Sequence, residues 1–197
     1  DNHLGLPNEQ ESRYREKHFV AWLEKVRKDA AAIYLLGDLF DFWFEYKTVV
    51  PKGFIRVLGK LAELSDAGIP ITFFVGNHDL WMRDYFQKEL GIVVHHQPVE
   101  LNVNQKKLFI GHGDGLGPGD RGYKWMKKVF NHPLSKWLFR WLHPDWGVRL
   151  GQYLSQKNKL ISGEEDVKFL GEDKEWLVAY SQKKLKEEHF DYFVFGH

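Results

Sequence analysis

Five short segments of the 197-residue chain bring aspartate, asparagine or histidine into loops. They are Asp1-Asn2-His3, Gly37-Asp38 with Asp41 beyond it, Gly76-Asn77-His78-Asp79, Gly111-His112-Gly113-Asp114, and Gly196-His197. These are oxygen and nitrogen donors of intermediate hardness, which suit Mn²⁺, Fe²⁺ or Zn²⁺ better than Ca²⁺, and the absence of cysteine removes a thiolate zinc site. A carboxylate can bridge two cations about 3.5–4 Å apart, and such a pair clamps a phosphate and lowers the pKa of a bound water. Asp38 is the expected bridge. The chemistry that follows is hydrolysis of a phosphate ester or anhydride.

Such residues need elements that deliver them to one place. Four of the five segments follow an apolar run: Ala31–Leu36, Ile71–Val75, Leu108–Ile110 and Tyr192–Phe195. Each reads as a buried strand stopping at a loop, and in open α/β sheets ligands sit at the carboxyl ends of the strands. Asp1 and His3 stand two residues apart, so an extended segment would turn both to one side. Helical spacing of apolar residues predicts helices over Glu9–Lys28, Gly53–Asp66, Leu80–Leu90 and Asp173–Glu188. Ile92–Val94 and Val99–Val103 read as strands, with a hairpin turn over Asn102–Gln105. Strand and helix alternate early and strands crowd the middle, which predicts an α/β chain with a mixed sheet or two sheets packed face to face.

In type and order these motifs resemble the calcineurin-like metallophosphoesterases: Asp-x-His, Gly-Asp-x-x-Asp, Gly-Asn-His-Asp, Gly-His and a terminal Gly-His, from one end of the chain to the other. The resemblance implies an αββα sandwich of two mixed sheets flanked by helices, and two divalent ions, manganese being favoured. It implies that Asp1, His3 and Asp38 hold one ion, and that Asp38, Asn77, His112 and His197 hold the other. His78 would face the phosphate as general acid or charge stabiliser, oriented by Asp79, and Asp41 would orient metal ligands. A narrower resemblance is to the UDP-2,3-diacylglucosamine hydrolases of lipid A synthesis. It rests on Gly-Asp-Leu-Phe-Asp-x-Trp at 37–43, on His-Gly-Asp at 112–114 with Asp120 and Tyr123 beyond, and on a helical insertion after them. Well-known members carry Arg where this chain has His78. In that group the insertion caps the site and holds acyl chains, and the products are UMP and an acylated sugar phosphate.

Composition sets the remaining bounds. The length suits one domain, residues 1–197, and 43% hydrophobic content with 15 Phe and 8 Trp is ample for a core. No apolar run approaches the ~20 residues of a transmembrane helix, and no signal peptide is visible. The absence of cysteine fits a reducing compartment. A cytoplasmic protein, peripheral on the inner membrane face of a Gram-negative bacterium, is the expectation. The start at Asp1 and the end within a site loop suggest trimming at both ends. Net charge is +1, yet residues 121–159 hold nine Lys/Arg against Asp145 alone, leaving −7 for the rest. A segment of +8 points to an anionic partner.

That basic stretch, about 121–160, also holds Trp125, Trp137, Trp141 and Trp146, more apolar surface than a small helical arm can bury against itself. It reads as a lid for acyl chains and anionic head groups. The alternatives are a packed helical subdomain and a nucleic-acid surface. Arg149, Asn158 and Lys159 are candidates for diphosphate or sugar contacts, and Asn77, Asp120 and Tyr123 are further candidates for the substrate. Asp114 is either a turn carboxylate or a group near the substrate. His18, His132 and His189 read as surface or helix-end residues, and His95-His96 as structural. A nucleotide-sugar lipid is the favoured substrate, without nucleic acid or an obligate protein partner. A nuclease of the same fold and a non-catalytic scaffold are the rivals.

Overall fold

The structure is a computed structural model and describes residues 2–118, 121–162, 171 and 175–197, the side chains of 158–162 excepted. Two compact units divide the chain, Asp1–Gln97 and Pro98–His197.

In the first unit, helix α1 (Glu9–Val26) starts at Asn8, whose side chain accepts a 2.9 Å bond from the Glu11 amide, with Glu9 and Glu11 complementing the helix dipole. Strands β1 (Ile33–Leu35), β2 (Ile71–Phe74) and β3 (Val93–His95) form a parallel sheet in the order β1-β2-β3, with Ile33 opposite Ile71 and Phe73 opposite Val94. Parallel strands need crossovers. Helices α2 (Ile55–Asp66) and α3 (Tyr85–Leu90) supply them. All three strands therefore end on one edge, and that edge carries both Gly37-Asp38 and Gly76-Asn77-His78-Asp79.

The loop after β1 is pinned by its own apolar residues. Leu39, Phe40, Trp43 and Phe44 are buried, and Phe40 stacks on Trp43 at 4.4 Å. Full burial of side chains this large stabilises by roughly 1.5–3 kcal/mol each. Val57, Leu61 and Leu64 of α2 join Leu23, Phe73 and Phe86 in the same core.

The second unit holds β4 (Val99–Val103), β5 (Lys106–Gly111) and β6 (Tyr192–Phe195). β4 and β5 are antiparallel, joined through Asn104 and Gln105, both at positive φ, as a tight hairpin turn requires. β6 runs parallel to β5, with Gly111 opposite Phe195, so this sheet is mixed while the first is parallel. The crossover from β5 to β6 contains α4 (Arg121–Asn131), α5 (Pro133–Arg140), α6 (Pro144–Ser162) and α7 (Trp176–Glu187). Pro133 opens α5 after His132 and Pro144 opens α6, positions where proline's missing N–H is harmless.

The expected tryptophan excess is plain in α4–α6. Trp125, Trp137, Trp141 and Trp146 are 69%, 53%, 76% and 70% exposed, alongside exposed Leu134, Leu138, Leu150 and Leu154. Among the described residues, no helix is long and apolar enough to cross a membrane.

Candidate metal centre

Asp38 sits just past β1 in the left-handed region, φ 50°, and is 1% exposed. Its Oδ1 accepts the His78 amide at 2.9 Å, joining the two loops of the sheet edge through a carboxylate. Its backbone carbonyl accepts the amides of Asn2 and His3, each at 3.0 Å. The chain continues into Leu4, whose amide meets Leu39 and whose carbonyl takes the Asp41 amide. The first segment is thus stitched to the Gly37 loop. His3 itself is not extended: its φ is 42°. The expected alignment of His3 with Asp1 lies outside the described residues, because Asp1 is not among them.

The ring of His3 falls between two carboxylates, with Nε2 3.9 Å from Asp38 Oδ2 and Nδ1 3.8 Å from Asp41 Oδ1. Both separations are too long for hydrogen bonds. The first suits two atoms that each ligate one cation at about 2.0–2.2 Å. One ligand atom from each of His3, Asp38 and His78 lies within 4.8 Å of the other two, so the donor set fits a divalent ion. The His3 and His78 rings meet edge to face at 4.5 Å.

His78 Nδ1 lies 2.9 Å from the Asp41 carbonyl oxygen and 3.6 Å from its carboxylate. A carbonyl only accepts, so Nδ1 carries the proton and Nε2 is the atom available for ligand or substrate. Both oxygens of Asp79 are engaged with backbone, Oδ1 by the Gly76 amide at 2.6 Å and Oδ2 by the Leu39 amide at 3.1 Å. The Asp41 carbonyl therefore helps align the His78 ring, and the Asp79 carboxylate ties the two loops together. Gly76 is required beside them: a Cβ there would lie 2.2 Å from Asp38 Oδ1. Asn77 is half-buried in this loop.

In the second unit, β5 and β6 end together. His112 is buried, its carbonyl accepts the amides of both Gly196 and His197 at 2.9 Å, and the two histidine rings lie 5.2 Å apart. Sheet pairing thus brings His112 and His197 to one place. Asp114 is also buried, but it faces the helical segment: Lys127 Nζ lies 2.5 Å from its Oδ2, and the Tyr123 hydroxyl donates to the same oxygen. This carboxylate ties the start of α4 to the loop after β5. Gly117 allows that loop to pass α7, where a Cβ would meet the Trp176 carbonyl at 2.5 Å. Arg149 is exposed on α6. Asp120 lies outside the described residues, as do the side chains of Asn158 and Lys159. His18 and His189 are at the surface, and the His132 side chain caps α5, accepting the Leu134 amide. His95 stacks on Phe74 at 5.4 Å.

Several positioning residues escaped the motif reading. Ser12 Oγ accepts the Gly5 amide at 2.7 Å, and the Arg15 guanidinium donates to the carbonyls of His3, at 2.9 Å, and Leu6. Glu16 accepts the amides of Arg56 and Val57, capping α2 in place of Phe54. Ser12 and Glu16 continue the stripe of Phe19 and Leu23 on α1, and polar residues on an otherwise apolar stripe are the signal that marks them.

Residues 1–197 match the family model described as calcineurin-like phosphoesterase. Three curated relatives carry the name UDP-2,3-diacylglucosamine hydrolase. One from Porphyromonas gingivalis is 40% identical over 211 residues, covering 100% of this chain and 80% of that protein. One from Edwardsiella ictaluri is 26% identical over 179 residues, with 91% and 67% covered. One from Vibrio parahaemolyticus is 31% identical over 144 residues, with 73% and 55% covered.

Proposed function

The chain belongs to the calcineurin-like phosphoesterase family, and from that premise we propose that it hydrolyses UDP-2,3-diacylglucosamine to UMP and 2,3-diacylglucosamine 1-phosphate (lipid X). The observation that carries the reading is the convergence of His3 and Asp38, with the His78 ring beside them, in a chain 40% identical along its whole length to a hydrolase of that name.

The proposed ligand sets are Asp1, His3 and Asp38 for one ion, and Asp38, Asn77, His112 and His197 for the other. Two divalent cations, preferably Mn²⁺, would supply positive charge to the attacking and leaving oxygens and acidify a water. The protein's own groups do the positioning. Asp38 is held rigid by the His78 amide on one side and by burial on the other. Asp41 fixes the proton of His78 on Nδ1, so that Nε2 faces the phosphate and meets charge that grows on its oxygens. The exposed tryptophans of α4–α6 receive the acyl chains, and the lysines and arginines among them meet the diphosphate or an anionic bilayer surface. We place the protein at the cytoplasmic face of a Gram-negative inner membrane on the same grounds.

Purified protein with Mn²⁺ should release UMP from UDP-2,3-diacylglucosamine presented in detergent micelles. Failure to do so, combined with cleavage of bis-p-nitrophenyl phosphate, would refute the substrate and leave a phosphoesterase. Binding of single-stranded DNA or RNA that weakens steeply with salt and ignores detergent would favour a nuclease instead.

A further inference from the structure

We propose that Glu45 is a positioning residue for the candidate metal centre: its buried carboxylate locks the loop carrying Asp38 and Asp41 to the start of the helix behind His78 and Asp79. The inference rests on the metal reading of those loops.

Glu45 is 3% exposed. Burying a carboxylate is costly unless each oxygen is satisfied. Here one oxygen accepts the Trp43 indole N–H at 3.1 Å. The other accepts the Asp84 amide at 2.8 Å and the Tyr85 amide at 3.1 Å, at the residue before α3 and at its first residue. Asp84 makes no side-chain cap of its own there, so Glu45 serves as the cap from forty residues upstream. Trp43 belongs to the same fastening, because its backbone amide also meets the His78 carbonyl at 3.3 Å. The two site loops are therefore held at both ends. Near the site, Asp38 takes the His78 amide and Asp79 takes the Leu39 amide. Away from it, Glu45 closes the frame, beside the Phe44–Trp81 bridge. If that far end loosens, Asp41 and His78 no longer keep their register, and the ring that Asp41 aligns is free to turn.

All three partners of Glu45 are donors, which makes glutamine a sharp probe. In Glu45→Gln the amide oxygen can satisfy one side only, and its NH₂ faces a second donor. We expect E45Q to fold and to bind Mn²⁺ at least 10-fold more weakly, the size usual for groups that orient metal ligands. Adding Trp43→Phe removes the facing indole donor, so the double variant should regain at least 3-fold of that loss.

Mn²⁺ alone is titrated calorimetrically into metal-stripped wild type, E45Q, W43F and E45Q/W43F, with a urea melt of each metal-free protein. A folded E45Q with a lower urea midpoint and wild-type Mn²⁺ affinity would reduce Glu45 to a fold-stabilising group and overturn the proposal. If E45Q does not fold, Glu45→Asp takes its place, keeping the charge but falling a methylene short of α3, and unchanged affinity there overturns the proposal equally. Wild type that takes up no Mn²⁺ would sink the metal reading itself. Equal uptake by wild type and variants sinks only the role of Glu45.

Discussion

Replacing Gly76 by alanine tests the close packing behind the proposed metal centre. Gly76 is not at positive φ, so the strain of a left-handed backbone does not enter. The added Cβ would lie 2.2 Å from Asp38 Oδ1, 2.7 Å from the Asp38 nitrogen and 2.9 Å from its Cγ, inside the 3.0 Å that real Cβ atoms keep. Since backbone as well as carboxylate is in the way, a rotamer change alone cannot relieve the clash, and Asp38 must retreat by roughly 1 Å. Metal–ligand distances tolerate only about 0.2 Å. Asp38 also holds the amides of Asn2, His3 and His78, so its retreat disturbs the segments that carry them. We expect a loss of about 1–3 kcal/mol in folding free energy, as for other overpacked sites, and a fall in Mn²⁺ affinity of roughly 10–100-fold. Urea denaturation and titration calorimetry read the two effects. Gly59→Ala is the control. It lies inside α2 with nothing within 4 Å of its Cβ, and should stabilise by about 0.5–1 kcal/mol with Mn²⁺ binding untouched. A Gly76→Ala protein with normal Mn²⁺ affinity and normal stability would refute the reasoning.

Three further outcomes are expected. Asp79→Asn leaves an NH₂ facing the Gly76 or Leu39 amide in a fully buried place, and should lower stability by about 1–3 kcal/mol in a urea melt. The Lys106 ammonium, together with the Lys107 amide, holds the Asp191 carboxyl below its ordinary value of 3.8. A depressed carboxyl stabilises above its unfolded pKa, and that contribution is lost as pH falls through the lower folded value. The difference in urea midpoint between wild type and Asp191→Asn should therefore be present at pH 6 and shrink in acid below 3.8. Trp125→Ser and Trp141→Ser each remove an exposed ring from α4–α6. Each should weaken sedimentation with phosphatidylglycerol vesicles by roughly 10-fold, leaving hydrolysis of a soluble phosphodiester unchanged.

Much of the fold was legible because strands that end in a polar loop are written locally. The apolar runs before Gly37, Gly76, Gly111 and Gly196 all carry strands, and the hairpin at Asn104-Gln105 lies where the turn signal put it. The helix expected over Leu80–Leu90 begins only at Tyr85, because the amides of Asp84 and Tyr85 are taken by Glu45 and that of Met82 by the Asp79 carbonyl. Periodicity cannot see a cap that arrives from another loop. The same limit hid Arg15 and Glu16, whose partners lie nine to forty-one residues away. It also hid the Asp41 carbonyl as a partner of the His78 ring, 37 residues away in sequence. Histidine at position 3 could be named from its type, whereas its left-handed backbone follows from stitching to the Asp38 carbonyl.

The register of β6 against β5 has a consequence for the order of assembly. Leu108 pairs with Tyr192 across eighty-four positions, so His112 leaves the ribosome long before the strand that will carry its companion. Until β6 docks, the carbonyl of His112 lacks the amides of Gly196 and His197. If His112 and His197 share an ion as proposed, their half of the site can assemble only once β6 has paired with β5.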